Sequence, residues 1–379
     1  MKLTVDLENP YDIVIGSKTI EKLHEYLKEN YKNSRILIIS DDLVYKIHGK
    51  KIEKELDGFY FKKYILKNGE KSKSTENLIK ILEFAAKNEY RRSDLIIAFG
   101  GGVVGDISAL FSSLYLRGVD FIMVPTTFLS SIDSSVGGKT AVNLKAGKNL
   151  CGTFYQPKKV FIDTDFLKTL SDYYFKDGLG EAIKYGMIRD KSIFDEISNN
   201  KVNKSYPNLP LIIKKCLEIK KEVVKKDEKD LCIRQILNYG HTFAHAIEIN
   251  SDFKISHGHA VALGMKIMVK YFYKDFFDEF VKVLEKYGLD YDIDFDTDEI
   301  IKICKLDKKS RADKINIVIV KEIGTCEILN VDFNYLRKIY ENRWYFNSHF
   351  KIKRRNWCDF IQIFCSQSLD YGSIFKNTY

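Results

Sequence analysis

Three histidines lie close together in the second half of the chain. His241 and His245 stand four residues apart in "LNYGHTFAHAIE", and His257 follows in "ISHGHAVALGM". Residues at i and i+4 share one face of a helix, so the first pair suits two imidazole ligands of one metal ion. The helical zinc-protease signature has a glutamate directly after the first histidine, where this chain has Thr242. Two interpretations remain open: core histidines, or a metal site of another kind.

A metal site on these histidines needs a carboxylate from elsewhere. The segment "GLGEAIKYGMI" offers Glu181, with Lys184 one helical turn later on the same face. Two histidines and one carboxylate, with coordination positions left open, are typical of a catalytic zinc centre. Spacing alone does not decide between a metal site and histidines that only pack in the core.

A glycine-rich segment, "IIAFGGGVVGDISALF", suggests phosphate binding. Gly100, Gly102 and Gly105 have G-x-G-x-x-G spacing between a strand pattern and a helix pattern. Such glycines let the backbone approach a pyrophosphate at a helix N-terminus, although a tight packing turn is the alternative. No acidic residue follows about 20 positions on, as an ordinary Rossmann motif requires. Asp41, directly after "RILIIS", is the better candidate for a ribose hydroxyl.

The span from 117 to 149 is dense in polar side chains between glycines. Its ligand-type residues are Arg117, Thr126, Thr127, Asp133, Lys139, Asn143, Lys148 and Asn149. Lysine and arginine neutralise phosphate or carboxylate, and α/β sheets bind ligands in loops that follow buried strands. A ligand-binding loop is therefore favoured over a plain polar surface loop.

Strand and helix patterns alternate over roughly the first 165 residues. The strand patterns are "RILIIS" (35–40), "FYFKKYIL" (59–66), "DLIIAFG" (94–100) and "VDFIMVP" (119–125), and 75–87 is amphipathic. This alternation predicts a parallel α/β sheet covered on both faces. From about 171 to 340 helical periodicity dominates. We predict an α/β domain over 1–170, a mostly helical domain over 171–340 and an appendage over 341–379.

Composition narrows the classes of function. The chain has 379 residues, 45% of them hydrophobic, and a net charge of +9. No apolar run approaches the ~18 residues of a membrane helix, and the first residues lack the apolar core of a signal peptide. Seven scattered cysteines without a C-x-x-C pair predict reduced thiols in a cytoplasm. Only "FKIKRRNW" hints at a basic face with aromatic residues, so we expect neither a nucleic-acid nor a membrane partner.

Considered together, these segments resemble the 3-dehydroquinate synthase family. The resemblance spans roughly residues 1 to 335 and is carried, in the family's order, by "GGGVVGD", "YLRGV", "VPTTFLSSIDSSVGGKTAVN", "GKN", "FYQP", "GEAIKYG", "LNYGHTFAHAIE" and "HGHAVALGM". Related sugar-phosphate cyclases differ around "DSSVGGKTAVN", which favours this family within the superfamily.

The resemblance implies an N-terminal NAD-binding α/β domain, a helical metal-binding C-terminal domain, an active site in the cleft between them, and a homodimer. NAD contacts fall on Asp41, Glu70, Lys73, Gly101, Gly102, Val103, Asp106, Thr126, Thr127, Lys148, Phe166 and Thr169. A divalent metal, zinc first and cobalt second, falls on Glu181, His241 and His257. Substrate contacts fall on Asp133, Lys139, Lys148, Asn149, Lys220, Arg234, Asn238, His241 and His257, with Lys309 matched loosely. Catalytic roles fall on His245, which handles protons, and on Asp230, Lys184, Arg117 and Lys139.

The implied substrate is an acidic sugar phosphate, 3-deoxy-D-arabino-heptulosonate 7-phosphate, in the shikimate pathway of the cytoplasm. NAD takes a hydride from C5, phosphate is eliminated, and the same cofactor returns the hydride. The ring then opens and an intramolecular aldol step yields 3-dehydroquinate. The metal acidifies the hydroxyl to be oxidised, while cationic side chains orient the anionic groups.

The chain departs from the family's pattern at two motifs. Around Arg234 the family has D-E-x-E-x-G-x-R, whereas this chain has "DEKDLCIR", with Asp230 in place of a proton-accepting glutamate and Leu231 and Cys232 in place of a glycine-containing pair. In "HGHAV", His259 occupies the position of a usual glutamate. The tail after about residue 340 has no counterpart.

Two other functions compete with this one. An iron-type alcohol or glycerol dehydrogenase shares the two-domain plan, but the cations Arg117, Lys139, Lys148 and Arg234 argue for a phosphorylated substrate. A non-catalytic paralogue that only binds NAD or metal would explain Asp230, His259 and the tail. Stoichiometric NADH release would distinguish the dehydrogenase.

Overall fold

The computed structural model describes residues 1–230, 232–291, 293, 295–307 and 314–344. Its strands are β1 (Lys2–Val5), β2 (Tyr11–Gly16), β3 (Ile36–Asp41), β4 (Phe61–Leu66), β5 (Leu95–Gly100), β6 (Asp120–Pro125), β7 (Lys139–Leu144), β8 (Gly147–Phe154), β9 (Lys159–Asp163), β10 (Lys314–Glu322) and β11 (Thr325–Asp332). Its α-helices are α1 (Leu23–Asn30), α2 (Asp42–Glu55), α3 (Thr75–Lys87), α4 (Gly102–Leu114), α5 (Asp172–Ile188), α6 (Lys191–Asn199), α7 (Leu209–Lys226), α8 (His241–Asn250), α9 (His257–Phe272), α10 (Phe277–Tyr287), α11 (Thr297–Asp307) and α12 (Phe333–Glu341).

A seven-stranded sheet in the order β1-β2-β9-β6-β5-β3-β4 organises the first part of the chain. Its pairs are parallel except for β1 with β2. Every residue of β3 and of β5 is buried, because helices cover both faces of these strands. Leu37 and Ile96 face the core that includes α3 and α4, whereas Ile38 and Ile97 face the core that includes α1 and α2. The predicted α/β class with a parallel sheet is confirmed.

Two antiparallel hairpins differ from the sequence prediction. The polar span 117–149, predicted as a loop, contains β7 and the start of β8, which pair from Lys139↔Phe154 to Leu144↔Gly147. Its many glycines and short polar residues concealed a strand pair whose buried residues are Thr140, Ala141 and Val142. Strands β10 and β11 interrupt the region predicted to be helical. There the β-branched run "INIVIV" is the local strand signal.

Close glycine contacts join the helices of the second part. A Cβ atom on Gly180 of α5 would lie 2.1 Å from the carbonyl oxygen of Gly258 in α9. A Cβ atom on Gly264 of α9 would lie 2.1 Å from the carbonyl oxygen of Gly240, which directly precedes α8. Gly240 itself has a left-handed φ of +78°. Helix α9 therefore packs backbone against backbone on α5 and on the start of α8, which only glycine allows.

Asp177 of α5 fixes the start of α9. Its Oδ1 accepts hydrogen bonds from the Gly258 N–H at 2.6 Å and from the Ser256 hydroxyl at 2.7 Å. A carboxylate at a helix N-terminus satisfies N–H groups that have no partner within the helix. The first turn of α9 is thus held both by glycine packing and by a buried carboxylate.

The described part of the predicted appendage continues from α12 as a short turn, Asn342–Trp344. The Arg343 guanidinium donates to the carbonyl of Phe295 at 2.8 Å, so this turn packs on the helical part. Residues 345–379 lie outside the described residues. Among those described, none of the helices is both long enough and apolar enough to cross a membrane.

We expect Gly180→Ala to destabilise the protein by about 1–3 kcal/mol, because a methyl group there must push α5 and α9 apart. Urea or thermal unfolding of both proteins measures this. Gly49→Ala in α2 is the matched control, since the three atoms nearest the added Cβ belong to the Tyr45 ring and not to backbone. An equal loss of unfolding free energy in Gly180→Ala and Gly49→Ala would show that the α5–α9 contact tolerates a methyl group as well as α2 does.

Candidate metal centre and active-site cleft

Glu181, His241 and His257 come together in the helical part. Glu181 Oε1 lies 3.4 Å from His241 Nε2 and 3.2 Å from His257 Nε2. One ligand atom from each residue lies within 4.8 Å of the others. Each residue is the direct neighbour of a tightly packed glycine, either Gly180, Gly240 or Gly258. The glycine contacts between α5, α8 and α9 therefore bring these side chains to one point.

Hydrogen bonds orient both imidazoles. His241 Nδ1 lies 3.1 Å from the carbonyl oxygen of Tyr239, which can only accept, so Nδ1 carries the proton. His257 Nδ1 faces Glu248 Oε2 at 3.5 Å. Both arrangements leave Nε2 for the side that faces Glu181. Partners of this kind on the second ring nitrogen fix metal-binding histidines in known sites.

The carboxylate of Glu181 fits a cation. Its side chain is 1% exposed, and neither oxygen accepts a hydrogen bond, although Lys184 Nζ makes an ion-pair contact with Oε2. A buried carboxylate without hydrogen bonds is costly unless a positive charge compensates it. One carboxylate and two imidazoles are also the ligand types that zinc and cobalt prefer.

A second group of ligand-type residues, His245, Glu248 and His257, shares one histidine with the first. The ring centroid of His245 lies 5.6 Å from that of His241 and 6.2 Å from that of His257. The carboxylate of Glu248 already contacts His257 and the ammonium of Lys148, the latter at 3.3 Å. The first group is therefore the better metal site, with His245 beside it.

The pKa values follow from this crowding. Burial raises the pKa of Glu181, but its neighbours, above all the charge of Lys184, outweigh that effect and hold it at about 2. Burial lowers the pKa of His241 to about 3, so this imidazole is neutral and able to bind a metal. Burial also lowers the pKa of His257, but Glu181 and Glu248 outweigh it and raise that pKa well above its ordinary value. Glu181 and Glu248 thus favour a positive charge on the His257 imidazole between them, so their negative charge also suits a bound cation.

A buried ionic network continues from this centre towards the sheet. Lys220 Nζ lies 2.9 Å from Asp133 Oδ1 and donates to the Asp133 carbonyl at 2.7 Å, and the Tyr185 hydroxyl donates to the same carboxylate. Burial raises the pKa of Asp133, yet Lys220 and Lys184 outweigh it and hold that pKa far below its usual range. Burial lowers the pKa of Lys220 to about 8. These lysines are thus positioned by carboxylates before any ligand arrives.

The glycine loop has the expected context at the carboxyl ends of the parallel strands. Strand β5 ends at Gly100, Gly101 is the N-cap of α4, and the helix begins at the next residue. A Cβ atom on Gly101 would lie 2.9 Å from Thr127 Cγ2, and one on Gly105 would lie 2.8 Å from Met123 Cε. The loop therefore packs α4 closely on β6, and no side chain caps the helix N-terminus by a hydrogen bond.

Residues predicted to contact NAD surround this helix start. Gly102 and Val103 form its first turn, and Asp106 follows, paired with Lys73 at 2.5 Å. The Lys73 ammonium also donates to Asn149, whose φ is +55°. Strand β8 is therefore tied to the glycine-loop helix through a buried lysine.

Asp41 and Glu70 lie at the same edge of the sheet. Asp41 is the N-cap of α2 and accepts from the Leu43 and Val44 N–H groups, each at 3.0 Å. Glu70 accepts from the Asn143 amide at 2.7 Å. The capping role leaves Asp41 fixed beside the glycine loop, where β3 pairs with β5.

Among the remaining residues predicted to contact NAD, Thr126 has an unpaired hydroxyl, whereas Phe166 and Thr169 contact other side chains of the protein. The Thr126 hydroxyl, at the end of β6, is buried without a hydrogen-bond partner, as expected of a group that faces a ligand. The Phe166 ring is 1% exposed and packs against His48, so it contributes core packing. The Thr169 hydroxyl lies 2.7 Å from His48 Nε2. Sequence matching could not distinguish the buried ring from a ligand contact.

Asp230 and Arg234 lie beside the β7–β8 hairpin. Asp230 Oδ2 is 2.5 Å from Lys139 Nζ, and the Asp230 backbone has a left-handed φ of +60°. The Arg234 guanidinium donates to the carbonyls of Glu228 at 2.6 Å and Gly137 at 3.1 Å. Leu231 lies outside the described residues. Asn238 ends the short helical turn that leads from Arg234 to α8.

Two other predicted positions, Arg117 and His259, stand apart from the cluster. Arg117 is exposed beyond the far end of α4, a helix about 20 Å long at 1.5 Å per residue. His259 is buried, with Nδ1 2.6 Å from the Tyr291 hydroxyl and Nε2 3.1 Å from the Tyr173 carbonyl, so it packs α9 instead of facing the site. Lys309 lies outside the described residues.

Sequence reasoning missed two residues of the centre, Glu248 and Tyr185. Glu248 stands seven positions after His241, a spacing that returns to the same helical face, inside a motif already singled out. Tyr185 directly follows Lys184. Helical spacing could have identified the first, whereas the contact of Tyr185 with Asp133 depends on tertiary packing.

Comparison with known proteins identifies the family. The model of the 3-dehydroquinate synthase N-terminal domain matches residues 63–177, and that of the C-terminal domain matches residues 178–310. The chain belongs to the 3-dehydroquinate synthase family. The 3-dehydroquinate synthase of Clostridium acetobutylicum is 43% identical over 347 residues, 88% of this chain and 98% of the relative. That of Thermoanaerobacter pseudethanolicus is 40% identical over 351 residues, 89% and 99% of the two chains. Family membership makes this chain an enzyme, a phosphate-eliminating cyclase.

Solved structures share the fold. A 2-deoxy-scyllo-inosose synthase has a TM-score of 0.80 at 25% identity over 90% of this chain and 99% of its own. A 2-epi-5-epi-valiolone synthase from Streptomyces hygroscopicus, solved with NAD+ and Zn2+, has a TM-score of 0.78 at 23% identity over 89% and 97%. An iron-containing alcohol dehydrogenase has a TM-score of 0.60 at 16% identity over 89% and 98%. The dehydrogenase alternative therefore shares the fold, while the sequence relatives place the chain in the synthase family.

We expect His241→Ala to weaken Zn2+ binding by at least about tenfold, because the change removes an imidazole of the buried three-residue centre. Titration of metal-free protein against a chromophoric zinc chelator measures the affinity. His24→Ala in α1, whose ring contacts the Glu55 carbonyl and Phe59 and not the metal-type residues, is the matched control. A full equivalent of zinc bound at parental affinity would refute the assignment of His241.

Proposed function

We propose that this chain converts 3-deoxy-D-arabino-heptulosonate 7-phosphate to 3-dehydroquinate and phosphate, with Glu181, His241 and His257 as the metal ligands. The observation that carries the residue assignment is the convergence of a buried carboxylate and two oriented imidazoles next to Lys184 and Lys148. Family membership supplies the reaction: oxidation, phosphate elimination, reduction, ring opening and aldol closure.

The cofactors are NAD and one divalent ion, zinc or cobalt. When bound, the metal acidifies a substrate hydroxyl and NAD accepts and returns a hydride. The free N–H groups at the start of α4 are suited to the pyrophosphate, and the Thr126 hydroxyl and Asp41 offer polar contacts at the same edge. Lys73 and Asp106 hold this edge to the β7–β8 hairpin.

Cationic side chains bind and orient the acidic substrate. Lys184 and Lys220 are buried between the metal centre and Asp133, and burial excludes water that would otherwise screen their charges. Lys139 and Lys148 project from the hairpin, and Arg234 lies at its base. Asn149 and Asn238 offer amide contacts. This arrangement neutralises a phosphate and a carboxylate, the two anionic groups of the substrate.

Proton handling falls to His245 and Asp230. His245 lies beside both histidine ligands without belonging to the better metal group, a position suited to proton transfer. Asp230 has one buried oxygen without a hydrogen bond and one paired with Lys139. Aspartate adopts a left-handed backbone more readily than glutamate, which accounts for this departure from the family's glutamate.

The wider setting is also part of this proposal. We assign NAD binding to 1–170 and metal binding to 171–340, and we place the reaction in the cytoplasm, since the five described cysteines form no disulfide. A homodimer is supported by Leu114 and Leu116, which are 46% and 45% exposed beside Arg117. A sedimenting mass of one chain, 44.1 kDa, would contradict the dimer.

Incubation of the protein with the heptulosonate phosphate, Zn2+ and substoichiometric NAD tests the activity. We expect phosphate and dehydroquinate in equal amounts, no accumulation of NADH, and retention of deuterium placed at C5, because hydride leaves and returns within one site. A chelator should abolish turnover and added zinc or cobalt should restore it. Stoichiometric NADH release would instead support a dehydrogenase.

We expect Asp230→Asn to lower kcat by about 10²-fold or more with little change in KM, as the loss of a proton-accepting group predicts. Asparagine tolerates the left-handed backbone, so folding should persist. Asp230→Glu restores the carboxylate and should retain most of the turnover. Steady-state kinetics of the three proteins measure this, and undiminished kcat in Asp230→Asn would remove Asp230 from proton transfer.

A further inference from the structure

Glu248 occupies a buried position that the proposed reaction does not use directly. It lies on α8, two turns after His241 and on the same face, and it is 6% exposed. Glutamate is rarely this buried unless its charge is compensated. Its two oxygens therefore need partners, and each has a different one.

The first partner is His257. Glu248 Oε2 lies 3.5 Å from His257 Nδ1, while Nε2 of the same ring lies 3.2 Å from Glu181 Oε1. The imidazole is thus held between two carboxylates, one on α8 and one on α5. A carboxylate on Nδ1 keeps the proton there, leaves Nε2 as the metal-binding atom and raises the basicity of the ring.

The second partner is Lys148 of the β7–β8 hairpin. Glu248 Oε1 lies 3.3 Å from Lys148 Nζ, and the same ammonium lies 4.0 Å from the centroid of the Phe253 ring. The turn that brings this ring into place begins from Glu248 itself, whose carbonyl accepts from the Phe253 N–H at 2.8 Å. Asp252 and Phe253 adopt left-handed φ values of +50° and +58° there. The end of α8 is therefore shaped to receive Lys148.

We propose that Glu248 is a positioning residue of the active site, which orients His257 for the metal through Nδ1 and seats the Lys148 ammonium beside that imidazole. This inference rests on the proposed function, because it takes His257 as a ligand. One carboxylate then links the metal centre of the helical part to a cation of the hairpin.

Glu248→Gln tests the proposal, because the amide has nearly the same shape but no charge. We expect the affinity of the metal-free protein for Zn2+, measured by competition with a chromophoric chelator, to fall by about 10- to 100-fold, the range for loss of a partner behind a metal-binding histidine. Lys148→Met is the matched control. It removes the same ion pair but leaves the contact to His257, so its zinc affinity should stay within about threefold of the parent.

Glu248→Asp gives a second measurement if the glutamine variant does not fold. It keeps the charge but shortens the side chain by about 1.5 Å, so its zinc affinity should also fall. Parental zinc affinity in a folded variant, either Gln or Asp, overturns the proposal, as does an equal loss in Lys148→Met. His241→Ala distinguishes failure of the metal-site assignment from failure of the role of Glu248. If His241→Ala binds zinc normally, the metal-site assignment is wrong. If His241→Ala loses zinc but the Glu248 variants do not, only the role of Glu248 is wrong.

Discussion

Backbone contact between glycines is the constraint on which this active site depends. Helix α9 can approach α5 and the start of α8 only because Gly180, Gly258, Gly240 and Gly264 carry no side chain. Metal-type ligands stand directly beside three of these glycines. The same backbone contacts that pack the helices therefore also place the ligands. Backbone atoms, which cannot change rotamer, set the positions of the three ligand-type residues, and hydrogen-bonding partners then orient the two imidazoles.

Charge is the second organising element, and it is paired before any ligand binds. Glu181 with Lys184, Asp133 with Lys220, and Glu248 with Lys148 form a chain of carboxylates and ammonium groups from the metal centre to the hairpin. The first two pairs each hold a buried lysine beside a carboxylate, which is the condition for burying an ammonium group, and the third pairs a half-exposed lysine with the buried Glu248. The net charge of +9 is therefore less informative than these individual pairings.

The sequence predicted the sheet and the glycine loop because each has a local signature, whereas spacing left the metal site open and the family resemblance supplied its ligand set. Buried strands such as β3 and β5 are continuous apolar runs, and His241 and Glu181 lie in motifs whose spacing limits their roles. The β7–β8 hairpin was not predicted, since its glycines and polar residues resemble a loop. Tyr185 and the exposed position of Arg117 were not predictable either, because both depend on contacts between elements distant in sequence.

The β7–β8 hairpin also determines how an anionic group of the substrate can bind to its two lysines. Lys139 and Lys148 extend from β7 and β8, and each already has a carboxylate of the other part of the chain as its counter-ion, Asp230 and Glu248 respectively. A phosphate or carboxylate group can engage either ammonium fully only by displacing or sharing that internal counter-ion. Binding here is an exchange of anions, so the strength of two protein–protein ion pairs sets the affinity for substrate as directly as any residue that touches it.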